Sequence, residues 1–398
     1  MSRKHSINRR FKPWLILTLC CHKCLKMIPR HEFEKLANMV DGKVRATALS
    51  RWSQFVALTV GQLSGRQSLR DIESCLASQC HLHYHLGTQP VSKSELSRAN
   101  EQRDAKFYTQ LFQLLYQRCT HHAPRHGFRF KHKLFSLEGS LLNASMKLFS
   151  WADYNRKKAA FKLHVWLDHD GLIPCFAQVT EGRVSENEQA RAFDAPRGSV
   201  LVFVMGYNNY RWHKTLIDKG IYWTTRIRGN AKYKVLERRD TAPNSAVTSD
   251  KIIKYSSKQR DGDKLNPIRR IGYRDLETGR HYVFITNHFD WSAQTIADIY
   301  KQRWQVELFF KWIKQNLKIK TFIGNSKNAV LTQILAALCV YLLIAFMKFQ
   351  SKLSPSMQQI ARLLHTNLFS KRDLIGLFQK LKPDKYSPPQ MMLSLVRR

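Results

Sequence analysis

Residues 299–320 read IYKQRWQVELFFKWIKQNLKIK. At about 100° of turn per residue, Tyr300, Arg303, Glu307, Lys311 and Lys314 fall in one stripe, while Val306, Leu308, Phe309, Phe310 and Ile313 supply an apolar side. The spacing predicts one amphipathic helix. A single glutamate among arginine and lysines is ordinarily part of a surface ion-pair lattice worth a few tenths of a kcal/mol per pair. Whether this one is more depends on its surroundings.

Upstream, the pattern alternates between strand and helix. FRFKHKLFSLEGSLL (128–142) reads as a strand, and residues 160–182 read as a hairpin turning at Asp168-His169-Asp170-Gly171. A short polar helix near ENEQARAF, the apolar strand SVLVFVMGY (199–207) and a helix over NYRWHKTLIDKG come next. From 221 to about 290 the chain is β-rich, and from Ser292 helices dominate. This is an α/β pattern. Ala329–Ala345 is near membrane-span length, but it contains Thr332 and Gln333 and continues from a polar helix, so it reads as a buried core helix.

Between about 30 and 120 the chain is helical, with a Ser92-x-x-Glu95 capping box. Arg45, Arg51, Arg66, Arg70, Lys93, Arg98 and Arg103 decorate this region as a solvated surface or a grip on DNA. The basic segment HHAPRHGFRFKHK (121–133) links it to the strands. The whole chain carries 66 Lys+Arg against 29 Asp+Glu, a net charge of +37 over 398 residues that are 43% hydrophobic. That charge coats a folded body, and its natural partner is a polyanion such as nucleic acid. Eight cysteines lack the paired spacing of a disulfide framework, which suits a reducing cytoplasm. Cys20-Cys21-His22-x-Cys24 has no second pair at zinc-finger distance.

The pattern Tyr300-x2-Arg303-x3-Glu307-x6-Lys314 resembles the signature of the insertion-sequence transposases of the DDE type that carry a Tyr-Arg-Glu-Lys motif. LEGS (137–140), FSWA (149–152), FKLH (161–164), the DHDG turn, TEGRV (180–184), YVFITNHF and KNAVLTQILAALCVYLLIAF also look like this family, covering roughly residues 30 to 380. The resemblance implies a ribonuclease-H-like catalytic core with a β-rich insertion, preceded by an all-α N-terminal domain and followed by C-terminal helices. The expected division is an atypical basic and apolar leader at 1–29, a helical DNA-binding domain at 30–120, the transposase domain at 121–385 with its insertion at 221–290, and a tail at 386–398.

Such enzymes hold two Mg²⁺ on three carboxylates, activating water or a DNA 3′-hydroxyl for in-line displacement at phosphorus. By resemblance Glu307 is the helical acid, and Tyr300, Arg303 and Lys314 contact DNA near the scissile phosphate. The first strand acid maps to Glu138, where the family has Asp. The second maps to Val204, because VFVMGY stands where the family reads Val-Phe-Asp-Arg-Gly-Tyr. The arginine is replaced by Met205, and Asn209 sits where Asp is common. The metal ligands remaining are Glu138 and Glu307, with Asp153, Asp168 and Asp170 as weak stand-ins. The expectation is a cytoplasmic, nucleoid-associated transposase that dimerises on terminal inverted repeats and target DNA, with its Mg²⁺ site incomplete and its activity impaired. The alternative is a catalytically dead DNA-binding relic.

Overall fold

The computed structural model describes residues 20–42, 48–144, 153–155, 158–182, 186–243, 245–256 and 267–371, together with 376 and 378. FSWA, Arg45, the end of TEGRV and both chain termini lie outside the described residues.

Seven helices come first: α1 (Cys20–Leu25), α2 (Arg30–Asp41), α3 (Arg51–Leu63), α4 (Leu69–Ala77), α5 (His83–Leu86), α6 (Lys93–Gln102) and α7 (Lys106–Thr120). Their starts come from capping chemistry: Ser50 accepts from the Ser53 N–H, and Ser68 with Asp71 and Ser92 with Glu95 form reciprocal capping boxes. Every residue of α3 is buried. Two of the arginines read as surface groups are structural. Arg51 is 5% exposed and pairs with Asp41 (2.5 and 2.7 Å), and the Arg103 guanidinium donates to the Leu49 carbonyl. Arg66, Arg70, Lys93 and Arg98 are exposed.

The expected leader is part of the core from Cys20 onward. Cys20, Cys21, Cys24 and Leu25 are buried, and the Cys20 and Cys21 N–H groups donate to the Ser370 and Leu368 carbonyls (3.3 and 2.9 Å). Burial pushes the Cys24 thiol up to about 12.

Ten strands form one sheet: β1 (Leu134–Ala144), β2 (Asp153–Asn155), β3 (Lys158–Asp168), β4 (Ile173–Glu181), β5 (Val200–Phe203), β6 (Tyr222–Arg226), β7 (Tyr233–Arg239), β8 (Val247–Tyr255), β9 (Ile268–Arg274) and β10 (His281–Thr286). Across the middle the order is β4-β3-β1-β5-β6, with β3 antiparallel to both neighbours and β1, β5 and β6 parallel. That is the ribonuclease-H-like arrangement the resemblance implied. Helices α8 (Glu186–Ala190) and α9 (Tyr210–Asp218) flank β5 in sequence. The first strand starts at Leu134 rather than Phe128, because Phe128 and Phe130 stack on each other (5.0 Å) and Phe130 stacks on Trp291 (4.3 Å) instead of entering the ladder.

The β-rich stretch expected at 221–290 is not a unit apart. Its first strand, β6, is the fifth core strand, and β10-β9-β8-β7 extend the same sheet beyond it. A buried pair locks the extension: Arg269 Nε donates to Asp250 Oδ1 (2.9 Å), and Arg269 Nη1 donates to the Phe289 carbonyl (3.1 Å).

Helices α10 (Ala293–Gln302), α11 (Trp304–Asn316), α12 (Lys327–Gln350) and α13 (Met357–Asn367) complete the fold. The single helix read over 299–320 is two, broken at Arg303, and it ends at Asn316. Helix α12 is apolar and long enough to cross a bilayer, yet 94% of its most apolar stretch is buried in protein. It anchors one hydrophobic cluster shared by α1–α7, α11, α13 and β3, so the N-terminal helices and the sheet are packed as one body. A second cluster lies on the α8/α9 side of the sheet, and a third joins the sheet to α10.

Candidate active site

Alternation along β1 sorts its side chains by face. Phe135 and Leu137 enter the α8/α9-side core, whereas Ser136, Glu138 and Ser140 make their bonds on the other side, to His169, Arg303 and Lys314. In the parallel ladder Leu137 is opposite Phe203, so Val204 comes directly after it at the C-terminal end of β5, beside Glu138. The backbone at Val204 stays extended (φ −72°, ψ 159°) and caps a short 3-10 turn over Met205–Tyr207. Its side chain packs against the α8/α9-side core, and Met205 is 42% exposed.

Helix α11 brings the remaining groups. Arg303 Nη1 lies 2.7 Å from Glu138 Oε2 and 2.6 Å from Glu307 Oε1, bridging the strand acid and the helical acid. Burial alone would lower the guanidinium's pKa, but the surrounding Tyr300, Glu138 and Glu307 push it up overall. Lys314 Nζ donates to Ser140 Oγ (2.6 Å) and the Leu141 carbonyl (3.1 Å), tying the end of α11 to β1. Burial, with Lys320 nearby, lowers its pKa. Tyr300 belongs to α10. Its ring is 4.7 Å from Phe284 of β10, Arg303 lies 5.7 Å above it, and burial raises its hydroxyl pKa. Lys311, read on the same stripe, is exposed. Trp312 packs edge-on to Tyr341 at 5.0 Å, a core contact.

Thus Glu138, Arg303, Glu307 and Lys314 come together and Tyr300 flanks them, whereas Val204, next to Glu138 along the ladder, turns its side chain to the α8/α9-side core. Asn209 caps α9 by accepting from the Trp212 N–H (3.0 Å). The weak stand-ins are committed elsewhere or out of view. Asp168 is fully buried at the far end of β3, where it accepts from Tyr116 Oη (2.8 Å) and Lys133 Nζ (2.9 Å), and burial raises its pKa. Asp170 pairs with the same lysine at 2.7 Å. The side chain of Asp153 is outside the described residues.

Sequence reasoning missed what stands behind the acid. A Cβ at Gly139 would meet Tyr207 Oη at 3.1 Å and His164 Nδ1 at 3.3 Å, so any larger residue there would have to push these two groups back by a few tenths of an ångström. His164 is opposite Gly139 in the ladder, and burial pulls its pKa down to about 4. The visible signal was the Glu-Gly pair itself.

Among the described residues no three His, Cys, Asp or Glu side chains cluster as metal ligands. Only two carboxylates, Glu138 and Glu307, are brought to this place among the described residues, and a guanidinium stands between them. The residues present do not fit a pair of Mg²⁺ ions.

Residues 124–343, more than half of the chain, match the transposase DDE domain family. The chain belongs to this family. It is a DDE-type transposase of the insertion-sequence kind, an enzyme class that cleaves and transfers DNA strands, generally with divalent metal. Residues 19–89 match a separate domain of unknown function. A protein named as a transposase from Sinorhizobium fredii is 29% identical over 294 residues, 72% of this chain and 81% of that protein. One named as a transposase for an insertion sequence element of Geobacillus stearothermophilus is 28% identical, over 61% of this chain and 64% of its own length. A piggyBac transposase solved as a synaptic complex with hairpin DNA aligns over 92% of this chain and 82% of that one, at 11% identity and a TM-score of 0.45. The assignment rests on the family match, not on that alignment.

Proposed function

We propose that this transposase binds the terminal inverted repeats of its element as a dimer on double-stranded DNA, and that its strand cleavage and transfer are impaired. In this reading Arg66, Arg70, Lys93 and Arg98 of the helical segment grip duplex, and Tyr300, Arg303 and Lys314 hold backbone phosphate beside the acids. Glu138 and Glu307 are the carboxylates left to hold a divalent ion, Mg²⁺ by family. The protein works in the cytoplasm on the nucleoid.

The observation that carries the impairment is Val204 at the end of β5, one step past the Leu137–Phe203 pair and therefore beside Glu138. Valine offers no oxygen, and it is a good strand residue, so the fold keeps it at no cost while the ligand is lost. Glu138 adds a smaller defect. One extra methylene displaces its carboxylate by about 1.5 Å, against the ~0.5 Å that a preorganised site tolerates.

Incubating the purified chain with supercoiled donor DNA and Mg²⁺ or Mn²⁺ tests this. Little or no excision is expected from the unaltered protein, and recovery from the triple variant Val204→Asp, Met205→Arg, Glu138→Asp. Robust excision by the unaltered chain overturns the impairment. End-specific, salt-sensitive binding with no cleavage even in the triple variant favours the second reading, a DNA-binding relic, for which Val204 is again the motivation.

A further inference from the structure

Arg303 stands between the two carboxylates of the site. A single nitrogen reaches oxygens of both Glu138 and Glu307, and the arginine side chain is only 14% exposed. Its backbone is held at the break between α10 and α11, with its N–H donating to the Tyr300 carbonyl and its own carbonyl accepting from Val306. Lys314, further along α11, is directed to Ser140 and Leu141. The two carboxylates carry two negative charges, of which the guanidinium neutralises one. Without an acid at 204, no third charge pulls a divalent cation in. An entering ion meets a full positive charge at ion-pair distance, and an arginine cannot lose its proton to make way.

We infer that Arg303 is a resident counter-cation that keeps this site closed to divalent metal until a DNA phosphate draws the guanidinium off the acids. This rests on the reading that element-end DNA is the ligand here. The guanidinium fork suits a phosphate as well as it suits carboxylates, so one side chain exchanges between the two partners. Metal loading and DNA binding are then coupled, and by linkage each strengthens the other. The same arginine that positions phosphate in the bound state offsets part of the acids' charge in the free one.

The test is Mn²⁺ binding to the full chain, read from the free-ion signal in electron paramagnetic resonance. The unaltered protein is expected to bind weakly and Arg303→Gln about tenfold tighter or more, because a like charge leaves the site. Adding Glu138→Gln to Arg303→Gln is expected to abolish the gain, and Arg303→Lys, which keeps the charge, to stay near the unaltered value. An Arg303→Gln protein that melts like the unaltered one yet binds Mn²⁺ no tighter overturns the inference, as does a gain that survives Glu138→Gln. Should Arg303→Gln not fold, the unaltered chain decides. Saturating element-end duplex is expected to tighten Mn²⁺ binding beyond that of the duplex alone, and to do so only while Glu138 is intact; no tightening overturns the inference. Failure of the chain to shift the duplex in a gel overturns the functional reading instead, and leaves the Arg303→Gln comparison to judge the inference.

Discussion

His213 shows how far a single side chain can be taken from its solution behaviour. It is fully buried between aromatic rings, stacked 4.2 Å from Trp223 and 5.6 Å from Phe203, and neither ring nitrogen has a hydrogen-bond partner among the described residues. Burial pulls its pKa from the ordinary 6.5 down to about 3. Above pH 6.5 the folded and unfolded chains both carry it neutral. Below that, the unfolded chain takes up a proton that the folded one refuses, so stability falls as pH drops from 6.5 towards 3. One such site costs about 2 kcal/mol at pH 5. His213→Phe is expected to flatten the fall in melting temperature between pH 7 and pH 5 without removing it, since His169 is also buried and held near 3. Melting scans of both proteins across that range check it; parallel curves contradict the account. Nothing in the sequence around His213 announced this, because the aromatic box is assembled from β5, β6 and α9.

At the scale of elements, the placement of α11 depends on how its exit turn is held. Gln333, 1% exposed in the second turn of α12, accepts from the Ile323 N–H (2.9 Å) and donates to the Lys318 (2.6 Å) and Thr321 (2.8 Å) carbonyls. Gln62 of α3 accepts from the Lys318 N–H (2.6 Å). Two buried amides therefore satisfy the backbone of the turn leaving α11, whose polar groups have no ladder of their own. Gln333→Leu keeps the helix and the volume but strands the Ile323 N–H and the Thr321 carbonyl and leaves the Lys318 carbonyl only Gln62, a loss of about 1–3 kcal/mol read from the denaturant midpoint. The same change loosens the end of α11 that carries Lys314, so weaker DNA binding is expected alongside. The sequence made Gln333 look like a polar blemish in an apolar run, enough to favour a core helix over a membrane span. Its role as a clamp required the turn to be packed against it.

Over the whole molecule, a net charge of +37 sets how it meets DNA. Each phosphate that a lysine or arginine neutralises releases condensed counterions, so affinity falls steeply with salt. With six to ten phosphate contacts, binding to duplex DNA is expected to weaken about 10³–10⁵-fold between 50 and 200 mM salt, measured by fluorescence anisotropy. A nearly flat dependence shows that the exposed arginines and lysines do not face the duplex. Arg51 and Arg103, spent on Asp41 and Leu49, are not expected to contribute.

The sequence by itself determined the family, the α/β alternation and the capped helices. All of these are written in residue type and local spacing, which the chain carries whatever its neighbours do. The identity of Val204 needed no coordinates. Tertiary structure alone decided that the helix of 299–320 breaks at Arg303, that the β-rich stretch prolongs the core sheet, that Cys20–Leu25 is interior, and that Arg303 stands between Glu138 and Glu307. These depend on strand register and on which faces pack together. A guanidinium reads the same in the sequence whether it meets solvent, phosphate or two carboxylates brought from 165 and 4 residues away.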